Sequence, residues 1–124
     1  MNSKVFKIIR IVFGVLLLIF GSNKFLNFMP VPENMPDVVM NYMTALIATK
    51  TLPLIGIVEA AAGLAFIFNK FCALLAIILM SVSINAVLFH INIDEANSVG
   101  AIILLALNIL MLFGYKDKYK DLLN

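Results

Sequence analysis

Charge is scarce in this sequence. Only 13% of its 124 residues are Asp, Glu, Lys or Arg, whereas 63% are hydrophobic. A soluble domain is usually about half apolar and about a quarter charged. A chain this short also has too little interior to hide so many large apolar side chains from water. The excess must face lipid, and the length suits one compact domain, residues 1–124. Cysteine is nearly absent as well. With Cys72 alone, an intrachain disulfide and a Cys-x-x-Cys redox pair are both excluded. Cys72 reads as a small apolar residue of a membrane helix. There is no fixed-period repeat, low-complexity tract, glycine-rich phosphate loop or His/Cys metal spacing. A soluble zinc or nucleotide enzyme therefore has no support, and no metal is expected. The net charge is +2, and the basic residues sit at segment ends rather than in a patch with aromatics. Nucleic acid is not an expected partner.

What is present is apolar length. A membrane helix needs about 20 mainly apolar residues, and four stretches qualify. They run from about Val5 to Leu26, Leu52 to Phe68, Phe71 to Ile91 and Asn97 to Phe113. The expected fold is all-α, a transmembrane four-helix bundle. The first stretch has the basic start of a signal peptide. Gly21-Ser22-Asn23-Lys24-Phe25 is not a small-x-small cleavage site, so it reads as a retained helix. Lys7, Arg10 and Lys24 flank its centre and can snorkel to headgroups. Asn69-Lys70 is a tight turn, and Asn92 to Ala96 a short polar loop. The segment from Asn27 to Thr51 is long. Pro30, Pro32 and Pro36 break helix in its first half. Asp37 then suits the cap of a short apolar helix through Val38, Met40, Tyr42, Met43, Leu46 and Ile47. That helix is expected at the membrane interface or folded over the bundle mouth. Pro53 suits the first turn of the next span.

Basic residues set the expected orientation. Four spans put Lys4, Lys7, Arg10, Lys70, Lys116, Lys118 and Lys120 on one side, and only Lys24 and Lys50 on the other. Seven against two assigns the N-terminus, the Asn69-Lys70 turn and the C-terminus to the cytoplasm. The long segment, with Glu33 and Asp37, and the loop with Asp94 and Glu95 then face outward. The expected location is a bacterial cytoplasmic (inner) membrane, crossed four times.

Several residues do not belong in lipid. Glu59 is the foremost, because an ionisable group inside a membrane helix is costly and a functional candidate by default. Gly56 and Gly63 share its helix face, which small residues mark as a close-packing one. The plainer alternative is a Glu that only locks helix packing. On the third span, Ser81, Asn85 and Asn92 form one polar stripe, and Ser83 and His90 another. At about 1.5 Å of rise per residue, Glu59 and Asn85 both lie about 10 Å below the same surface. Asn85 can thus offer Glu59 an amide donor, with His90 and Lys24 nearer the rim. Lys24 either reaches inward to Glu59 or snorkels outward. Asn85 and Asn108 also suit interhelical hydrogen bonds. Glu59, Lys24, Asn85 and His90 are the candidate ligand-binding residues of a polar pocket in this half of the bundle. Gly14, Gly21, Gly56 and Gly63 are the candidate packing positions.

Two short patterns carry a family resemblance. The first helix reads Arg10-x-x-x-Gly14, then Gly21-x-x-Lys24-Phe25. The second reads Pro53-x-x-Gly56-x-x-Glu59-x-x-x-Gly63. In this order, and with four helices, the chain resembles the DoxX-like membrane proteins. The resemblance singles out Arg10, Gly21, Lys24, Gly56, Glu59 and Gly63. Relatives of that family include a subunit of a thiosulfate:quinone oxidoreductase, components linked to redox or oxidative-stress complexes, and a chaperone-like protein for nicotinic receptors, so the resemblance implies a shared fold without one activity. Fold likeness does not fix activity. Two expectations follow. The first is an accessory or scaffold subunit of a membrane complex, partnered by another membrane protein or by a second copy. The second is a redox-linked subunit binding a quinone in the polar pocket, with no other cofactor expected.

Overall fold

The computed structural model describes residues 2–27 and 34–122. Pro30, Pro32 and Glu33 lie outside the described residues. Five α-helices follow in order: α1 (Ser3–Leu26), α2 (Asp37–Ala48), α3 (Thr51–Phe68), α4 (Cys72–Asn92) and α5 (Ser98–Gly114). Short 3-10 turns at Glu95–Asn97 and Lys116–Leu122 complete it. There are no strands among the described residues. Helices α1, α3, α4 and α5 (with the turn before it) are each long and apolar enough to cross a membrane, and α2 is a shorter apolar helix. The protein is an all-α transmembrane four-helix bundle with a short interfacial helix.

Local chemistry sets the helix ends. Helix α1 begins at Ser3 because the Asn2 side chain accepts from the Lys4 backbone N–H at 2.7 Å. It ends where Asn27 turns left-handed, and α3 ends the same way at Asn69. Asn tolerates that conformation better than most residues. The expected role of Asp37 as a capping side chain is not what the structure contains. Pro36 holds the N-cap position, and Asp37 is the first helical residue, making no capping bond. There its negative charge still faces the positive end of the helix dipole. Pro53 lies in the first turn of α3, where a missing N–H costs nothing.

Helix α1 runs antiparallel to α3, α3 packs on α4, α4 on α5, and α2 leans on α3. The α1–α3 seam is the closest. Gly14 faces Gly63, and Gly21 faces Gly56, so the two pairs stand seven residues apart on each helix. A Cβ built on Gly14 or Gly63 would lie 2.7 Å from the other's carbonyl oxygen. Only glycine permits this approach. The apolar core is gathered from Phe13, Leu17, Ala62, Phe66, Cys72, Ala76, Leu79 and Met111. Across α4 and α5, Asn108 donates to the Ala76 carbonyl at 2.9 Å, and Ser83 donates to Asn108 Oδ1 at 2.7 Å. Both side chains are fully buried, so these bonds tie the two helices where water cannot compete. The outward faces carry Val12, Leu54, Ile57, Leu74 and Ile102, all exposed, which suits a lipid environment.

Candidate functional site

The site starts from the glycines. Gly21 leaves room for Glu59, whose Cβ would be 3.1 Å from a Cβ at Gly21. Gly56 does the same for Lys24, whose Cβ would be 3.1 Å from a Cβ at Gly56. Side chains on a helix tilt toward its N-terminus. On antiparallel helices Lys24 therefore leans inward and Glu59 leans outward, so they lean toward each other. Their ends meet as an ion pair between Lys24 Nζ and Glu59 Oε1. Of the two readings of Lys24, the structure contains the inward one. The side chains are 23% and 7% exposed, so the ammonium borders open space while the carboxylate is sealed. Glu59 Oε1 receives no well-directed hydrogen bond from any described residue. Charge contact is its compensation.

Beside this pair lies a cavity of about 490 Å³ that takes in Lys24, Glu59, Asn85 and His90 together. The wall comes from α1, α3, α4 and α5, and Tyr42, Met43 and Leu46 of α2 line it as well. Helix α2 thus packs on α3 and forms one side of the cavity. Its exposed Val38, Met40 and Ile47 remain for the membrane surface. On α4 the cavity is lined by Ser81, Val82, Asn85, Ala86, Phe89 and His90. That set is one continuous helix face at i, i+1, i+4, i+5, i+8 and i+9. The two polar stripes expected on α4 therefore divide differently. His90 joins Ser81 and Asn85 on the cavity face, while Ser83 turns inward to Asn108.

Two details differ from expectation. Asn85 does not serve Glu59 or bridge helices. Its amide donates at 2.7 Å to the Ser81 carbonyl of its own helix, because a side chain one turn on reaches that oxygen at little cost. Arg10 does not snorkel. It is 6% exposed and donates to the Phe66 carbonyl on α3. Phe66 stands in the last turn of α3, whose carbonyls lack helical partners. A guanidinium there satisfies one of them and meets the negative end of the helix dipole.

One contributor, Phe89, was not singled out in the sequence. Phe89 stacks on Tyr42 with ring centroids 4.6 Å apart, joining α4 to α2. His90 meets Phe89 edge-on at 4.9 Å, and its Nδ1 lies 3.5 Å from Asp94 Oδ2. Asn97 in turn donates to both Asp94 oxygens. The spacing of Phe89, one turn beyond Asn85, is the signal that points to it. At the opposite end, Cys72 donates to the Ala65 carbonyl at 3.2 Å, and Tyr115 donates to Asn69 Oδ1 at 2.8 Å. Burial, and next the neighbouring Cys72, raise the Tyr115 phenol above its ordinary value. It therefore stays protonated as a donor. These contacts close the α3–α4 turn. Among the described residues no three His, Cys, Asp or Glu side chains converge as a metal set.

The fold and site define a class: a small helical membrane bundle with a buried Lys–Glu pair on the wall of a cavity. The profile of the DoxX family matches residues 5–91, and the chain belongs to the DoxX family. No curated protein and no solved structure matches it.

Proposed function

We propose that this protein crosses a bacterial inner membrane four times, with both termini cytoplasmic, and holds a neutral, lipid-soluble molecule of the quinone class as the ligand-holding subunit of a membrane complex. The observation that carries this reading is the sealed Glu59 carboxylate, paired with a partly open Lys24, on the wall of a cavity about 490 Å³ in volume. Buried polar atoms normally have hydrogen-bond partners, and Glu59 Oε1 has none of good geometry.

The chemistry of the wall favours a neutral occupant. Lys24 and Glu59 cancel in place, so an anion would have to displace a carboxylate held by charge. The ammonium holds Glu59 by charge without a well-directed hydrogen bond, so its N–H groups suit a carbonyl oxygen. The stacked Tyr42 and Phe89 rings suit the flat face of an aromatic or quinonoid ring. A bound quinone would supply two-electron, two-proton chemistry. Around it, Lys24 orients an oxygen, Glu59 holds or accepts a proton, and His90 stands on the rim to exchange protons with water. Helix α2 closes one side of the cavity.

A scaffold reading rests on a different observation. The ion pair joins α1 and α3, the helices in closest contact, so it also suits a lock with no ligand. Purification in mild detergent with mass spectrometry of co-purifying molecules separates the two. A stoichiometric quinone supports the proposal. A single protein partner with an empty cavity supports the scaffold.

A further inference from the structure

The other end of the bundle holds a second space that the proposed function does not use. A groove of about 360 Å³ lies between the start of α1 and the end of α5, lined by Ser3, Phe6, Leu110, Phe113 and Gly114. Phe6 forms the junction. A Cβ on Gly114 would lie 2.3 Å from Phe6 Cζ, and the Phe6 ring meets Tyr115 edge-on at 5.8 Å. The junction holds the helices together but leaves Phe113 68% exposed beside it. Apart from Ser3, the lining side chains are apolar.

Three lysines neighbour the groove-lining residues along the chain. Lys4 and Lys7 lie on the same turns of α1 as Ser3 and Phe6, and Lys116 follows two residues after Gly114. All three are exposed, and none is in ion-pair reach of a carboxylate among the described residues. Helix α1 has no acidic residue at all. The nearest acid in sequence, Asp117, faces Lys120 at 3.9 Å. From Leu110 to Gly114 the helix climbs about 6 Å toward Lys116, the direction from acyl-chain to headgroup level.

We propose that this groove is a binding site for one anionic phospholipid, with an acyl chain along Phe6, Leu110 and Phe113 and the phosphate among Lys4, Lys7 and Lys116. Charge complementarity selects the headgroup. Three unpartnered lysines leave uncompensated positive charge beside the groove, which a zwitterionic headgroup does not neutralise and an anionic one does. The groove supplies what charge alone does not, a fixed place for one chain.

The test uses the full-length protein in mild detergent, titrated with phosphatidylglycerol or phosphatidylcholine and read by native mass spectrometry. One phosphatidylglycerol should remain bound under conditions that strip phosphatidylcholine. Lys4→Gln, Lys7→Gln and Lys116→Gln should each weaken that retention about fivefold. Ser3→Trp, at an exposed position, fills the groove without altering charge. It should also lose the lipid while helical content by circular dichroism is unchanged. Equal retention of the two lipids overturns the site. So does a Ser3→Trp protein that keeps phosphatidylglycerol, since the lysines would then attract any anionic surface.

Discussion

The tightest seam in the molecule makes the sharpest mechanical prediction. Gly63→Ala adds one methyl, and that carbon would sit 2.7 Å from the Gly14 carbonyl and 2.8 Å from the Leu18 backbone nitrogen. Both obstacles are backbone, so no side chain can swing aside. Reaching an ordinary 3.4 Å contact requires the helices to part by about 0.7 Å there. A gap of about 0.5–1 Å forfeits a quarter to a half of each van der Waals well along the seam. Overpacking of this kind costs about 1–3 kcal/mol, partly offset by about 0.5–1 kcal/mol for replacing a helical glycine by alanine. The expected net loss is about 1–2 kcal/mol. Gly14→Ala should cost a similar amount, and the double variant less than the sum, because one separation accommodates both methyls. Gly100→Ala is the control. A Cβ there meets nothing within 4 Å, so it should lose no stability. The assay is unfolding in mixed micelles with increasing SDS, followed by helical circular dichroism. A Gly63→Ala protein as stable as Gly100→Ala would refute the reasoning.

Other outcomes follow from individual contacts. Arg10→Met should destabilise the protein by about 1–3 kcal/mol in the same assay, since it strands the buried Phe66 carbonyl. Arg10→Lys should recover part of the loss through its charge. A wild-type-like Arg10→Met would show that the cap is dispensable. With Arg10 and Lys24 both turned into the bundle, six basic residues against one, Lys50, still favour cytoplasmic termini. A reporter fused after Asn69 should therefore be active only in the cytoplasm, and a cysteine placed at Glu95 should be labelled from outside. The reverse pattern would invert the orientation.

Much of the architecture was legible because hydrophobic length is a strong signal. The four spans follow from runs of apolar residues with charges only near their ends, and α2 follows from the apolar residues after Pro36. Glu59 stood out because a carboxylate in such a run has no cheap explanation. Other features were not legible for identifiable reasons. Arg10 sits near enough to a helix end to read as a snorkelling anchor. Its burial depends on the last turn of α3 arriving beside it, a tertiary fact. Asn85 had two acceptable partners, another helix or its own carbonyl four residues back, and sequence does not rank them. Tyr42 and Phe89 are ordinary apolar positions on their own helices. Only the packing of α2 against the bundle makes them a stacked pair. Lys24 was ambiguous because its reach allows either direction. The antiparallel glycine seam, with Gly56 clearing space for its stem, decides the matter.

The central claim is that Lys24 and Glu59 serve a ligand rather than only stability, and one comparison tests it most directly. Replacing both members of a buried ion pair with apolar residues is often neutral for folding. Lys24→Met/Glu59→Leu should therefore unfold in SDS much as the wild type does. Equilibrium binding of a ubiquinone analogue by the detergent-solubilised proteins is the measurement. The account predicts saturable binding near one equivalent by the wild type, and loss of it in the double variant with folding intact. Equal binding by both proteins, or no binding by the wild type, would contradict it.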